Sequence, residues 1–290
     1  MNPNILLACS GLLGEKVLLN LYKNRIICAV LTDKKSTNII DFCSIKNINI
    51  FIGNPRNEEC FNFVKKYKSC ILFSVNYLFL FDKNLLNLFY YKFNIHGSLL
   101  PKYRGRTPHV WAIINNENKT GITIHDITID CDSGDIYFQK EIPIKYSDTG
   151  GDILNKYFYH YPKIIEQFLL LLFDNKIDPK KQDDKLSTYY EKRNPEDGKI
   201  NWNWQRERLY NWVRALAPPY PGAFCYYNNV KIVINKIAFS DFGYSNNIRN
   251  GTLLYINNDK FIIKTPNGCI EILDYKKENE IIFNIGEVFN

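Results

Sequence analysis

The chain has 290 residues, 46% of them apolar, and carries 19 phenylalanines and 20 tyrosines. This length allows one large domain or two modest ones, and the apolar fraction excludes an intrinsically disordered protein. The 37 lysines and arginines exceed the 30 acidic residues, for a net charge of +7. Because this excess is mild and dispersed, it suits an anionic ligand and argues against a protein that binds nucleic acid.

The eight cysteines are scattered and form no C-x-x-C pair. We therefore expect reduced core cysteines, a cytoplasmic protein and no metal site. The first residues lack a basic region followed by a signal-length apolar stretch. The most apolar run, residues 164–173, is interrupted by Glu166 and Gln167. We expect no segment that crosses or enters a membrane.

Strands and helices alternate through the first 75 residues. An apolar run at residues 4–9 leads into a glycine turn at 10–14 and then into helical spacing at 15–22. This order predicts strand, turn and helix, and such alternation is typical of a parallel sheet in a doubly wound α/β domain. A further helix is predicted at residues 58–66, and further strands at 26–31, 48–52 and 69–75.

The pattern changes after residue 96. It predicts a short helix at 110–115, a strand at 121–127 with its hairpin partner at 137–144, and a long amphipathic helix at 151–172 that starts near a Gly-Asp cap. Residues 174–198 are polar and resemble a linker. We therefore predict a first domain of residues 1–200.

Residues 201–290 form the second predicted domain. A short helix at 207–215 and a Pro-Pro-Tyr-Pro-Gly turn precede five short β-like runs that are separated by asparagine-rich turns. Short strands with such turns favour a small β-barrel. The predicted strands are 223–227, 230–239, 252–256, 261–265 and 269–275.

The stretch FNIHGSLLPKYRGRTPHVW, residues 93–111, is the most informative part of the chain. An apolar strand ends there with Asn94 and His96 at alternate positions, which places both side chains on one face. Ligands of open α/β sheets bind at strand ends, so an amide and an imidazole at this place form a candidate reaction centre. Equally, the histidine could be a structural residue held by local hydrogen bonds.

Two charged segments follow this strand. Lys102, Arg104 and Arg106 could bind an anionic substrate or form a solvated basic loop. Further along, the sequence DCDSGD places Asp132 beside Ser133 and Gly134. A carboxylate there could orient His96 and stabilise its protonated form. The neighbouring acids, Asp130 and Asp135, are more typical of turn formers.

The combination N-I-H-x-S-L-L-P-x-Y-R-G with a later D-x-G turn resembles the formyltransferases that use 10-formyltetrahydrofolate. The resemblance covers most of the chain and implies a Rossmann-like formyltransferase domain followed by a small OB-like β-barrel. It also implies that Asn94, His96 and Asp132 are catalytic. Asn94 and a protonated His96 would donate to the formyl oxygen as the amine adds, while Asp132 would hold His96 and help remove the amine proton.

The same resemblance suggests binding residues. Those expected to bind the folate are Val75, Asn76, Tyr77, Leu78, Ile129 and Asp130. Those expected to bind the acceptor are Ser98, Lys102, Tyr103, Arg104, Arg106, His125, Arg214, Tyr220 and Phe224. Tyr220 and Phe224 could stack on a nucleobase and Arg214 could take a diphosphate, although all three could equally be packing residues.

The acceptor that the resemblance favours is a nucleotide-linked amino sugar. Within that group, dTDP-4-amino-4,6-dideoxyglucose is the best candidate, for the synthesis of surface glycans such as O-antigen in lipopolysaccharide, by an enzyme expected to be a homodimer. The alternative is a methionyl-tRNA formyltransferase, which usually has a longer basic loop after its second strand.

Three other functional classes have weaker support in the sequence. The turn SGLLG lacks the G-x-G-x-x-G spacing of a dinucleotide-binding module. An RNA-binding barrel would need a basic stripe, and the cations after residue 251 are mixed with acids. A hydrolase that releases formate from the same folate would share the three catalytic residues.

Overall fold

The computed structural model describes residues 4–24, 26–257 and 260–290. The chain forms two compact units. The first unit comprises the chain up to Gly105, Thr120–Ile142 and Asn155–Tyr190, and the second comprises Arg106–Lys119, Pro143–Leu154 and Glu191–Asn290. The domain boundary expected at residue 200 stays a prediction.

The strands of the first unit are, in chain order, β1 (Ile5–Cys9), β2 (Ile27–Thr32), β3 (Asn49–Ile52), β4 (Ile71–Val75), β5 (Lys92–His96), the two-residue β6 (Arg104–Gly105), β7 (Lys119–Asp126), β8 (Ile136–Pro143) and the two-residue β9 (Tyr189–Tyr190). Seven of them form one sheet in the order β3-β2-β1-β4-β5-β7-β8. Strands β1 to β5 run parallel, and β7 runs antiparallel to β5. Every residue of β1 and β4 is buried, as expected for central strands covered on both faces.

The strand order reverses between β1 and β4, which makes their carboxyl ends the switch point of the sheet. Ligands of open α/β sheets bind in the crevice outside such a point. Ser10 follows β1 and Asn76 follows β4. The Asn76 side-chain amide donates to the Ser10 carbonyl oxygen at 3.1 Å, so the two segments are tied together there.

The helices of the first unit are α1 (Gly11–Lys23), α2 (Thr37–Ile45), α3 (Glu58–Lys65) and α4 (Lys83–Leu86). The second unit contains α5 (Pro108–Ile114) and α7 (Arg206–Leu216), and α6 (Gly150–Phe173) begins in the second unit and ends in the first. At the start of α6, Thr149 and Asp152 bond reciprocally, each side chain accepting the other's backbone N–H. This confirms the long helix predicted from its Gly-Asp start. Helix α2 was not predicted, because its nine residues include few strong helix formers.

The second unit contains five antiparallel strands: β10 (Ala223–Tyr227), β11 (Val230–Ser240), β12 (Leu253–Asn257), β13 (Lys260–Thr265) and β14 (Gly268–Lys277). Their order is β10-β11-β14-β13-β12. Residues 286–290 then connect the two edge strands. They exchange backbone hydrogen bonds with Leu253 at one edge, and Asn290 pairs with Tyr226 at the other. Hydrogen bonding therefore runs in a closed ring, and the predicted fold class, α/β followed by a small β unit, is confirmed.

Residues 174–198 differ from the predicted linker. Lys180 exchanges two backbone hydrogen bonds with Ile136, and β9 pairs with β6. The segment from Lys180 to Tyr190 is thus fastened at both ends to the first unit, and we call it the strap. Within the described part of the chain, no helix is both long enough and apolar enough to cross a bilayer.

Candidate active site

Polar side chains gather on one face of the first unit's sheet, where β5 lies beside β7. Asn94 and His96 alternate along β5 and therefore share a face. The antiparallel register pairs Asn94 with His125 and His96 with Thr123. Directly opposed residues of antiparallel strands point to the same face, so the amide and both imidazoles are neighbours. The two histidines are buried, with 7% of His96 and 2% of His125 exposed.

Asp132 reaches this face from the turn after β7. Its Oδ2 accepts the Gly105 backbone N–H at 2.9 Å and lies 3.5 Å from His96 Nδ1. Its Oδ1 lies 3.4 Å from the Asn94 amide nitrogen and 3.4 Å from His125 Nε2. The three residues proposed as catalytic are therefore adjacent around one carboxylate, with His125 as a fourth member of the cluster.

The backbone of Asp132 is in the left-handed region, with φ of 53°. A non-glycine residue held there costs on the order of 1 kcal/mol or more, and such strain concentrates at functional sites. The conformation turns the carboxylate back toward the sheet. Gly134 allows the turn to close, because a Cβ on it would lie 2.1 Å from the Asp126 carbonyl oxygen.

The protonation of His96 follows from its partners. Its Nε2 lies 2.7 Å from the Tyr103 carbonyl oxygen, and since a carbonyl can only accept, Nε2 carries a proton. Burial lowers the pKa of His96, and the nearby Asp132 carboxylate offsets this only in part. This shift favours the neutral ring, and in that form the Nδ1 lone pair faces Asp132. The protonated ring expected from the resemblance stays a prediction: burial opposes the charge, and the Asp132 carboxylate favours it.

The amide of Asn94 points both of its hydrogens into the cluster. His125 Nδ1 lies 2.8 Å from the Asp126 carbonyl oxygen and carries the proton of the ring, which leaves Nε2 as an acceptor in the neutral form. That Nε2 is 3.0 Å from the Asn94 amide nitrogen. The bond from the same nitrogen to Asp132, at 3.4 Å, is the longer one and the easier to exchange for a substrate oxygen.

The pKa of Asp132 is held well below its ordinary range. Burial by itself would raise it, but His96, His125 and the Gly105 N–H together outweigh the burial. The hydrogen bond from the Gly105 N–H lowers the pKa of Asp132 whatever the charge of the imidazoles. The cluster therefore contains an ionised carboxylate next to an imidazole, an arrangement that can accept a proton from a substrate.

The strap contributes a residue that the sequence reasoning missed. The Gln182 side-chain amide donates to the carbonyl oxygens of Asp132 and Gly134, at 2.9 and 2.7 Å. A glutamine in a polar stretch carries no sequence signal of such a contact. Only the folding of the strap against the first unit brings the two together.

Three of the residues expected to bind folate lie at the end of β4. Val75 is buried in the strand, and Asn76 follows it with φ of 52°. Tyr77 is buried and donates its hydroxyl hydrogen to the Gly53 carbonyl oxygen at 3.2 Å. The buried Val75 and Tyr77 leave their backbone, and not their side chains, as the groups that could contact a ligand.

The other three offer exposed side chains. Leu78 is 42% exposed and Ile129 is 57% exposed, and Asp130 is also exposed. Large exposed apolar side chains on the segments that follow β4 and β7 suit the faces of an aromatic ring system such as that of a folate. The residues present therefore fit the expected group.

Of the acceptor-binding residues expected on the first unit, several are occupied within the protein. Ser98 is buried and donates to the Lys102 carbonyl oxygen at 2.7 Å. Tyr103 is buried and stacks on Tyr190, with ring centroids 5.1 Å apart. Arg104 is 1% exposed, and its guanidinium donates to side chains of the strap. The side chains of these three residues are therefore buried and make contacts within the protein, whereas the side chain of Lys102 is exposed.

The second unit holds the remaining four. Arg214 is buried and donates to the Asn211 side chain and to the Asp148 carbonyl oxygen, at 2.9 and 2.7 Å. Phe224 is 2% exposed, so its ring is packed in the unit and offers no stacking face. Tyr220 is half-buried with its hydroxyl bonded to His109, and Arg106 is exposed. Arg214 and Phe224 are thus placed as packing residues, which is the alternative to ligand binding that the sequence left open for them.

Comparisons with known proteins identify the family of the chain. The chain matches the formyl transferase family model over residues 23–167 and the formyl transferase C-terminal domain model over residues 192–290. It is 30% identical over 254 residues to the methionyl-tRNA formyltransferase of Dictyoglomus turgidum, which covers 86% of this chain and 81% of that protein. The chain belongs to the formyl transferase family. It is an N-formyltransferase enzyme.

Two further similarities concern a longer protein and a solved structure. The chain is 35% identical over 279 residues to the bifunctional polymyxin resistance protein ArnA of Wigglesworthia glossinidia brevipalpis, an alignment that covers 92% of this chain but only 40% of ArnA. The fold of this chain is similar to that of WlaRD, a sugar 3N-formyl transferase solved in the presence of dTDP and 5-N-formyl-THF. The TM-score is 0.72 at 23% identity, over 97% of this chain and 100% of that one.

Proposed function

We propose that the protein transfers a formyl group from 10-formyltetrahydrofolate to the amino group of a nucleotide-linked amino sugar. The observation that carries the chemistry is the Asp132 carboxylate, which lies within 3.5 Å of ring nitrogens of His96 and His125 and of the Asn94 amide. A carboxylate, an imidazole and an amide around one point are the groups that formyl transfer to an amine needs.

Each residue has a role in the proposed reaction. Bound 10-formyltetrahydrofolate supplies the formyl carbon as the electrophile. Asn94 exchanges its 3.4 Å bond to Asp132 for a bond to the formyl oxygen and stabilises the charge that develops there. Asp132 accepts the proton that the amine loses as its nitrogen becomes bonded to carbon. That proton can pass from Asp132 to Nδ1 of His96, which places a positive charge near the same oxygen, and it ends on the folate nitrogen as the bond between that nitrogen and the formyl carbon breaks.

Support for a sugar acceptor comes from the similarities. WlaRD is a sugar 3N-formyl transferase whose fold matches nearly the whole chain, and an N-formyltransferase of Helicobacter canadensis of similar fold was solved with folinic acid and dTDP-3-aminofucose. We propose dTDP-4-amino-4,6-dideoxyglucose as the first acceptor to assay and surface glycan synthesis as the purpose. The homodimer and the cytoplasmic location expected from the sequence belong to the same proposal.

A second candidate is formyl transfer to methionyl-tRNA. The methionyl-tRNA formyltransferase of Dictyoglomus turgidum is aligned over most of its length. Salt separates the two acceptors, because binding of tRNA would release many counterions and weaken steeply with ionic strength, whereas binding of a nucleotide sugar would weaken little.

The test is a formyl-transfer assay read by mass spectrometry. The purified protein is incubated with 10-formyltetrahydrofolate and, separately, with dTDP-, UDP- and GDP-linked 3- and 4-amino sugars and with methionyl-tRNA. We expect one sugar to gain the mass of a CO group, with the gain lost in His96→Ala and kept in His160→Ala, a substitution on α6 away from the cluster. Formylation of the tRNA alone would refute the sugar acceptor, and formylation of none would refute the proposed function.

A further inference from the structure

Gln182 links the turn that carries Asp132 to a buried guanidinium. On one side, its amide nitrogen donates to the carbonyl oxygens of Asp132 and Gly134. On the other side, its amide oxygen accepts from Arg104 Nε at 3.1 Å and from Nη2 at 2.7 Å. Both ends of the carboxamide are therefore used, and its orientation is determined, since a flipped amide would face acceptors with its oxygen.

Arg104 is itself held rigidly. Its side chain is among the largest fully buried ones, and besides Gln182 it donates to Asp184 Oδ1 at 2.8 Å and to the Tyr189 hydroxyl. A planar guanidinium with four hydrogen bonds in fixed directions has little rotational freedom. Because its partners Gln182, Asp184 and Tyr189 all belong to the strap, Arg104 fixes the strap as well as the glutamine.

The backbone completes the arrangement. Arg104 N donates to the Thr188 carbonyl oxygen, and Tyr103 N donates to the Thr188 hydroxyl, both at 2.8 Å. The next backbone N–H, that of Gly105, donates to the Asp132 carboxylate. The same short segment thus anchors the strap and bonds the carboxylate. The strap in turn holds the main chain of the Asp132 turn from the other side.

We propose that Gln182 is a positioning residue that holds the Asp132 turn in place, with Arg104 orienting its carboxamide. This inference rests on the proposed catalytic role of Asp132. Asp132 has a left-handed backbone, and a strained turn keeps its geometry only when its surroundings impose it. Two hydrogen bonds to the carbonyl oxygens on either side of Ser133 impose it here. Gln182 touches no reacting atom, so its effect is on the rate and not on the binding of either substrate.

Two substitutions separate the contacts of Gln182. Gln182→Glu keeps an oxygen for Arg104 but removes the N–H donors and sets a carboxylate against two carbonyl oxygens. Gln182→Met keeps the length of the side chain without charge or hydrogen bonds. Gln167→Glu, an exposed position on α6, is the matched control. For both Gln182 variants we expect kcat to fall about 10- to 100-fold, with KM for donor and acceptor changed less than about threefold.

A second readout does not depend on turnover. Labelled histidine followed by NMR reports the titration of His96, assigned with His96→Ala. In Gln182→Met we expect His96 to titrate at lower pH than in the wild type, because the carboxylate that raises its pKa has moved away. Gln167→Glu should leave the titration unchanged, and circular dichroism establishes that each variant is folded.

The outcomes are distinct. A folded Gln182→Met variant with wild-type kcat and an unchanged His96 titration overturns the inference, even where Asp132→Asn is inactive and the proposed function stands. A raised KM with unchanged kcat also overturns it, since Gln182 would then bind substrate. If the wild type formylates no acceptor, the proposed function fails, while the titration still decides whether Gln182 positions Asp132.

Discussion

Replacing Asp132 by asparagine tests the proposed mechanism most directly, because it removes the charge and keeps the shape. The carboxylate accepts the Gly105 N–H at 2.9 Å and faces the Asn94 amide at 3.4 Å. In Asp132→Asn the new amide oxygen can keep the bond from Gly105. Its amino group then stands beside the Asn94 amide, and two donors share a single acceptor, His125 Nε2.

The size of the effect follows from what is lost. A positioned general base contributes about 10² to 10⁴ in rate, and the asparagine cannot accept a proton. At about 1.36 kcal/mol for each factor of ten, the barrier rises by about 3 to 5 kcal/mol. We expect KM to change little, since the shape of the site is preserved. The pKa of His96 should fall below its wild-type position, because the carboxylate that offsets its burial is gone.

The assay is steady-state formyl transfer to the accepted sugar, combined with NMR titration of His96. Asp135→Asn, in the same turn but away from the cluster, is the matched control. If Asp132→Asn retains kcat within about threefold of the wild type, then Asp132 does not act as the base and the reasoning is refuted.

Three further results are expected. Asn94→Ala should lower kcat by about 10² to 10³ and leave a trace of activity, as the loss of one oxyanion donor does, and a wild-type rate would exclude that role. Burial lowers the pKa of His96, so below about pH 6.5 this residue binds more protons in the unfolded chain than in the folded one. The free energy of unfolding should therefore fall on acidification, and urea titrations at several pH values should show a shallower fall for His96→Gln. Equal slopes of the free energy of unfolding against pH would contradict this. Gly134→Ala should lose about 1 to 3 kcal/mol of stability in the same measurement, because its Cβ would lie 2.1 Å from the Asp126 carbonyl oxygen, whereas Gly243→Ala, with open space around it, should be neutral.

Periodicity was sufficient to predict most of the fold. Apart from the two-residue β6 and β9, which were not predicted, the strands of both units were predicted to within about two residues. Buried parallel strands are continuous apolar runs, and asparagine-rich turns mark the short strands of the second unit. The strap was not predicted. Its residues are polar and make their contacts through side chains and backbone bonds to Ile136 and Arg104, and no local pattern encodes such distant partners.

The candidate site was predictable where the residues lie on regular structure. Asn94 and His96 alternate on one strand, so their common face follows from the sequence. The position of Asp132 was inferred from the family resemblance, and its approach to His96 depends on a left-handed turn that only the folded chain shows. The basic residues were less predictable, since the sequence cannot distinguish an exposed cation such as Lys102 from a buried one such as Arg104.

The ring of hydrogen bonds in the second unit has a consequence for the order of synthesis. Strands β10 to β14 leave the ribosome before residues 286–290, which supply the last bonds to β10 and β12. Until then both strands present unpaired backbone groups, the kind of surface on which nascent chains aggregate. A chain without residues 286–290 would keep its five strands, but the backbone groups of β10 and β12 that these residues bond would stay unpaired. We therefore expect such a truncation to reduce soluble yield more than activity per folded molecule.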